Sequence, residues 1–249
     1  MKKRNKLVAV LLSCCMAVAL FAGCGNNDKG TAENDNNQGE QIEVNEEDKY
    51  GGTLRIGMAA VANNIDPVKY TGVYENAIIE NIGDTLVVYS DDLSEFLPSL
   101  ATEWEVNEAG NEYTFKLRED IYFHPGKFQD GRQMTAEDVK YSLERSHNES
   151  ALARLAMLDH CEVIDDFTVK CVLPNPDASF LAALTNSGNV IVPKEEVEGW
   201  GDEFGAHFVG TGPFMMKEWK TDEAVEFVRS ENFWGGDVYL DGLNFVSIT

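Results

Sequence analysis

Positive charge is scarce in this sequence of 249 residues, where 20 Lys and Arg stand against 43 Asp and Glu for a net charge of −23. A surface of that sign repels phosphate backbones and anionic headgroups, which excludes nucleic acid as a partner. The few bases are also unevenly placed: Lys2, Lys3, Arg4 and Lys6 precede Cys24 and no acid does, so the remainder is more acidic still. Cysteine is equally sparse. Of the 5 present, only Cys161 and Cys171 fall in sequence of globular composition, and their spacing is not that of a metal site. Gly-x-Ser-x-Gly, His-Glu-x-x-His, Walker-type and Gly-x-Gly-x-x-Gly motifs are all missing. The 4 histidines, His124, His147, His160 and His207, stand singly, and the adjacent acids Asp91-Asp92, Asp165-Asp166 and Glu195-Glu196 read as solvated faces of an acidic chain. No catalytic residue, metal ligand or cofactor is expected, and the chain is not read as an enzyme.

One apolar run stands out, residues 7–22, broken by Ser13 and two cysteines and preceded by the four bases. It falls short of the roughly 20 apolar residues that span a bilayer, and with its charged start it reads as an export signal over residues 1–23. The run ends in Leu20-Phe21-Ala22-Gly23-Cys24, which resembles a bacterial lipoprotein box with Phe21 where Leu is more usual. Leu11-Leu12-Ser13-Cys14 fits the same box but would leave too short an apolar core, so Cys24 is the expected lipid attachment. Two acyl chains on one cysteine give a stable tether where a single chain is marginal. Residues 24–49 are then the lipidated cysteine and a spacer of Asn, Asp, Glu, Gln and Gly, too polar to offset chain entropy by burial.

Globular patterning begins at Gly51-Gly52-Thr53-Leu54-Arg55-Ile56, which alternates as a strand does. Asp66-Pro67 marks a turn, and Ile78, Ile79 and Ile82 at helical spacing predict a helix over residues 75–86. Trp104 and Val106, then Tyr113, Phe115 and Leu117, flank a turn at residues 108–111 and predict a hairpin. Thr135-Ala136-Glu137-Asp138 is a capping box that starts a helix with Val139 and Leu143 on one face.

A second hairpin spans residues 161–173. A two-residue turn at Asp165-Asp166 would pair Cys161 with Lys170 and separate the sulfurs, a three-residue turn would set the cysteines opposite each other, and two half-buried thiols are expected. Residues 180–184 read as helix and residues 190–192 as strand. Gly210-Thr211-Gly212-Pro213 reads as a tight connection with glycines at positive φ rather than an anion nest. A last hairpin over residues 212–228 turns at Thr221-Asp222-Glu223, and the sequence ends within an alternating run, as a truncated chain would.

These segments in this order resemble the extracellular solute-binding proteins of ABC importers, the family of oligopeptide-, dipeptide- and nickel-binding receptors. The resemblance is carried by Pro98-Ser99-Leu100-Ala101-Thr102-Glu103-Trp104, Phe115-Lys116-Leu117-Arg118, Phe123-His124, Asp130-Gly131 and residues 135–145, with Val209-Gly210-Thr211-Gly212-Pro213-Phe214 and Asn232-Phe233-Trp234-Gly235-Gly236 behind them. Gly83 stands where an aromatic is usual, a departure expected to loosen packing.

The resemblance implies an α/β, periplasmic-binding-protein-like two-lobe fold with mixed sheets, of which the first lobe and an inserted α+β domain are present and the second lobe is absent. Residues 50–83 and 187–249 would form the first lobe and residues 84–186 the inserted domain. It implies a lipid-anchored receptor outside the cytoplasmic membrane, or on the periplasmic side in a two-membrane cell. Such a receptor is a monomer that captures peptides for permease subunits of an ABC transporter. A receptor for nickel, a metallophore or a sugar is the alternative on the same fold, and a secreted hydrolase a remote one. Tyr70, Thr71, Gly72 and Val73 match the stretch that lies along bound peptide in the oligopeptide receptors and are the expected ligand-binding residues.

Overall fold

Three sheets and four helices follow one another along the chain in the computed structural model, which describes residues 49–60, 62–220 and 223–248. The export signal, Cys24, most of the spacer and the Thr221-Asp222 step of the last hairpin lie outside the described residues. The elements are β1 (Thr53–Met58), α1 (Val73–Ile79), β2 (Val87–Tyr89), β3 (Phe96–Pro98), β4 (Ala101–Val106), β5 (Glu112–Leu117), α2 (Ala136–Glu149), β6 (His160–Asp165), β7 (Thr168–Val172), α3 (Phe180–Leu184), α4 (Lys194–Trp200), β8 (Phe214–Lys220), β9 (Ala224–Arg229) and β10 (Gly242–Ser247).

The first and last described strands meet in a mixed sheet of order β1-β10-β9-β8, in which β1 runs parallel to β10, with Ile56 opposite Phe245, and the other pairs are antiparallel. The middle of the chain builds an antiparallel sheet of order β4-β5-β7-β6, and β2 pairs with β3 as a small ribbon. Two apolar cores match this division. One gathers Leu100, Phe115, Ile121, Val139, Leu143, Val169 and Phe180 around the second sheet, and the other gathers Ile65, Ile78, Ile79, Ile82, Phe204, Phe208, Phe227 and Phe245 around the first.

The capping box is present at α2, where the Thr135 N–H donates to the Asp138 carboxylate at 2.9 Å. Arg132 holds that carboxylate in turn with both guanidinium nitrogens, at 2.8 and 2.6 Å, and reaches Glu195 at 2.8 and 2.7 Å. One face of α2 packs Val139 and Leu143 into the first core, while Arg145 and Ser146 are buried elsewhere on it. The Arg145 guanidinium forms a two-pronged ion pair with Asp66 at 2.8 and 2.6 Å, with side chains 6% and 1% exposed. Burial works against the guanidinium charge, but the hydrogen bonds and attraction of Asp66 outweigh it and hold Arg145 above its ordinary pKa.

Several expectations are corrected. The helix after Asp66-Pro67 ends at Ile79 rather than at residue 86. The Asn81 and Ile82 carbonyls, which a longer helix would use internally, accept the N–H groups of Phe214 (3.2 Å) and Gly212 (2.8 Å) instead. Residues 190–192 form no strand, because Ile191 donates to the Asp84 carbonyl and Val192 bonds through both backbone groups to the Ser142 hydroxyl on α2. Gly210 and Gly212 have negative φ, and what requires glycine there is contact: a Cβ would stand 2.2 and 2.7 Å from Ile82 backbone atoms. Gly83 does not loosen the core, since Val190 and Phe208 fill the space beside it. Cys161 and Cys171 stand directly opposite each other, as the three-residue alternative required, through an irregularity between Val163 and Asp165, and both are fully buried rather than half-buried.

The strip of residues 210–212 also holds His124, whose N–H donates to the Gly210 carbonyl and whose Nε2–H donates to the Gly212 carbonyl, both at 2.8 Å. Its Nδ1 is buried without a partner among the described residues. Burial pushes the imidazole down to about 4, against the raising effect of the Gly212 bond.

Two outcomes follow from these contacts. Arg145→Ala removes the two-pronged partner of the buried Asp66 carboxylate, leaving only Lys69 Nζ at 3.9 Å, and should lower the unfolding free energy by about 3–5 kcal/mol in denaturant titration, whereas Lys116→Ala, at an exposed pair, should leave stability almost unchanged. Because the folded pKa of His124 lies below the unfolded value, its contribution is intact above about pH 6.5 and is lost as pH falls toward about 4. The stability difference between wild type and His124→Gln should therefore change by about 3 kcal/mol across that window, and a pH-independent difference would refute the assignment.

Candidate functional site

The chain between β1 and α1 is fixed from three sides. Asp66 starts a turn in which its carbonyl accepts the N–H groups of Lys69 (3.0 Å) and Tyr70 (3.1 Å), and its carboxylate accepts the Val68 N–H as well as Arg145. Arg154 approaches from the other side. It donates to the Tyr70 carbonyl at 2.8 Å, and its guanidinium carbon sits over the Tyr70 ring, 4.1 Å from the centroid. Gly188 makes room for that guanidinium, since a Cβ there would stand 2.3 Å from Arg154 Cδ.

The structure places the four expected ligand-binding residues together but not alike. Tyr70 is buried, and its hydroxyl is engaged by Asn76 Oδ1 at 2.9 Å, by Asn186 Oδ1 at 3.3 Å and by the Ser187 hydroxyl. It anchors the loop and offers neither ring face nor hydroxyl outward. Thr71 is exposed, Gly72 half-exposed and Val73 77% exposed. Gly72 precedes α1 in extended conformation, at φ −102° and ψ 160°, and its carbonyl accepts the Asn76 N–H. Among the described residues the N–H groups of Thr71, Gly72 and Val73 donate to no protein acceptor. This is a short exposed edge, running from extended Gly72 into the first turn of α1, with free donors on a rigid backing.

Sequence reasoning passed over a second feature, a cavity of about 690 Å³ lined by Lys127, Trp200, His207, Met216 and Trp219 among others, and by none of residues 70–73. The His207 ring stacks on Trp200 with centroids 3.5 Å apart, and Lys127 Nζ sits 4.1 Å from the centre of a Trp200 ring. One wall is the loop of residues 125–129, held by buried Glu196, which accepts the N–H groups of Phe128 (2.5 Å) and Gln129 (3.0 Å) and the Trp200 indole N–H (3.1 Å). Glu196 lies about 70 residues downstream of this loop, and no local pattern joins the two.

Nothing in the described residues forms a nucleophile with a base. His160 is exposed between Asp159 (2.6 Å) and Glu162 (3.2 Å), whose carboxylates raise its pKa, and His147 bonds the Leu155 carbonyl. No group of three or more His, Cys, Asp and Glu side chains suited to a metal occurs among the described residues, and no described helix is long and apolar enough to cross a membrane.

Comparison with known proteins identifies the family. Residues 95–249 match the family described as bacterial extracellular solute-binding proteins, family 5 Middle. The chain is 33% identical over 193 residues to heme-binding protein A of Haemophilus influenzae, covering 69% of this chain and 35% of that protein. It is 30% identical over 243 residues to the dipeptide-binding protein of Escherichia coli, covering 81% and 45%. Among solved structures it superposes on the periplasmic binding protein DppA of Helicobacter pylori, in complex with the peptide STSA, with a TM-score of 0.73 and 30% identity over 81% of this chain and 44% of that one. The oligopeptide-binding protein AppA of Bacillus subtilis shares the fold at a TM-score of 0.72 and 23% identity, over 80% of this chain and 40% of that one. The chain thus spans less than half the length of these relatives. With its mixed sheets, its two cores and the match over residues 95–249, it belongs to the bacterial extracellular solute-binding proteins of family 5 and has the α/β fold of periplasmic binding proteins.

Proposed function

We propose that the protein is the substrate-binding component of an ABC importer, that it captures peptides outside the membrane and delivers them to permease subunits, and that it is anchored by lipid on Cys24. The observation that carries the ligand class is the exposed edge of residues 71–73, where extended Gly72 leads into the first residue of α1, with free N–H groups, pinned by the Asp66–Arg145 pair and by Arg154. A peptide laid along such an edge pairs through its own main chain, as an added strand does. Main-chain bonds are available in every peptide, so a site of this kind accepts many side chains. Relatives described as dipeptide-binding and di/tripeptide-binding support the same class.

The two cores support assigning residues 50–83 and 187–249 to a first lobe and residues 84–186 to an inserted domain, with Asp66–Arg145 holding one to the other. Solute-binding proteins grip ligand between two lobes, and closure draws its free energy from contacts made only when closed. On this reading the chain supplies one jaw. It acts by binding and not by catalysis, as the family does.

Gly72→Pro removes one of the free donors and forces φ away from −102° toward about −65°. In protein carrying both lobes, calorimetry should show affinity for unrelated peptides reduced by similar factors of about tenfold or more, the equivalent of one buried hydrogen bond. Unchanged affinity would place residues 71–73 outside the site. The anchor is tested separately: Cys24→Ala should release the protein from membranes or leave an unprocessed precursor, and full processing with normal membrane association would exclude Cys24 as the attachment.

A further inference from the structure

Cys161 on β6 and Cys171 on β7 face each other across neighbouring antiparallel strands, and their sulfurs lie 3.4 Å apart inside the first core. The type of pair matters. In an antiparallel ladder, opposed residues either exchange backbone hydrogen bonds or turn their backbone groups outward, and pairs of the second type bring their Cα atoms to about 4.5 Å. Cys161 is of the second type. Its N–H donates to Glu144 at 2.9 Å and its carbonyl accepts from Lys140 at 2.7 Å, so both groups point to α2 and away from β7. That spacing lies within the Cα range of about 4.4–6.8 Å that a disulfide requires. The strands therefore already stand at bonding separation, and rotation of the side chains brings the sulfurs together without moving the sheet.

We propose that Cys161 and Cys171 are joined by a cross-strand disulfide in the mature protein, a reading that rests on its location outside the cytoplasm. The bond forms by thiol–disulfide exchange with an external disulfide, either a low-molecular-weight one or that of a thiol oxidase. One cysteine thiolate attacks a sulfur of that disulfide and releases the first thiol. The second cysteine thiolate then attacks the chain's own sulfur in the mixed disulfide and releases the second. Two electrons and two protons pass from the cysteines to the external disulfide.

Timing follows from burial. Both thiols are fully buried, and the Cys171 thiol is pushed well above its ordinary pKa by its hydrogen bond with Cys161 and by burial, so the closed sheet opposes ionisation of Cys171 and admits an oxidant to neither. Exchange occurs while the hairpin is open, and closure then shields the bond from reductant. The consequence is local. β6 is the edge strand of its sheet, and α2 covers its outer side through Lys140 and Glu144. A bond to β7 fixes the strand on its inner side and locks the register that sets Cys161 opposite Cys171 rather than Lys170.

Trypsin separates the two cysteines after Lys170, so the bond reports as peptide 155–170 linked to peptide 171–194. Two samples are compared, each quenched in denaturant with N-ethylmaleimide and digested without reductant: protein refolded in vitro with oxidised and reduced glutathione, and protein taken directly from cells. Linked peptides in both are expected. A parallel sample refolded in reductant should have a thermal midpoint lower by about 5–10 °C, in line with the loss of a short closed loop. Maleimide on Cys161 and Cys171 in both samples overturns the proposal. Maleimide in the cell sample alone overturns the bond in the mature protein through failure of the exported location, since the refolded sample then shows that the geometry permits it.

Discussion

The Asp66–Arg145 ion pair is the constraint on which the rest of this structure depends. Asp66 belongs to the loop that follows β1, beside the core of the mixed sheet, and Arg145 belongs to α2, whose apolar face lies in the core of the antiparallel sheet. With both partners almost fully buried, neither can be satisfied by water, so the pair holds only in one geometry. That geometry fixes where residues 66–73 run. Arg154 and the turn at residues 186–188 add to it, but they act on a loop whose start is already pinned.

The pinned loop explains how a backbone can serve as a recognition surface. Free N–H groups on a mobile segment are solvated and must be ordered before they bind, whereas here the ordering is done by folding. Tyr70 illustrates the division of labour, since its ring and hydroxyl are committed to Arg154, Asn76, Asn186 and Ser187, and this leaves Thr71, Gly72 and Val73 presented outward. An aromatic residue in a candidate site reads naturally as a ligand contact, yet this one is a support.

Local patterns in the sequence were informative wherever the deciding interaction was local. The capping box at Thr135, the hairpin around residues 108–111 and the short helix at Phe180 are all set by neighbours a few residues apart. Failures came where a distant segment claimed a backbone group. Gly212 and Phe214 end α1 early, Ser142 takes the backbone that a strand at residue 192 would have used, and Ile82 rather than φ explains the glycines at 210 and 212. The order of segments named the family because most markers stand in sequence despite the departure at Gly83, while the cavity beside Trp200 stayed hidden because Lys127 and His207 are neighbours only in space.

The central claim is that residues 71–73 offer a rigid exposed edge to the main chain of a peptide, and amide hydrogen exchange reads that edge directly. In the protein carrying both lobes, the amides of Thr71, Gly72 and Val73 should exchange quickly in the absence of peptide, having no acceptor among the described residues, and should slow together when any of several unrelated peptides is added. Protection confined to other segments, with these three amides exchanging as fast as before, would contradict the account.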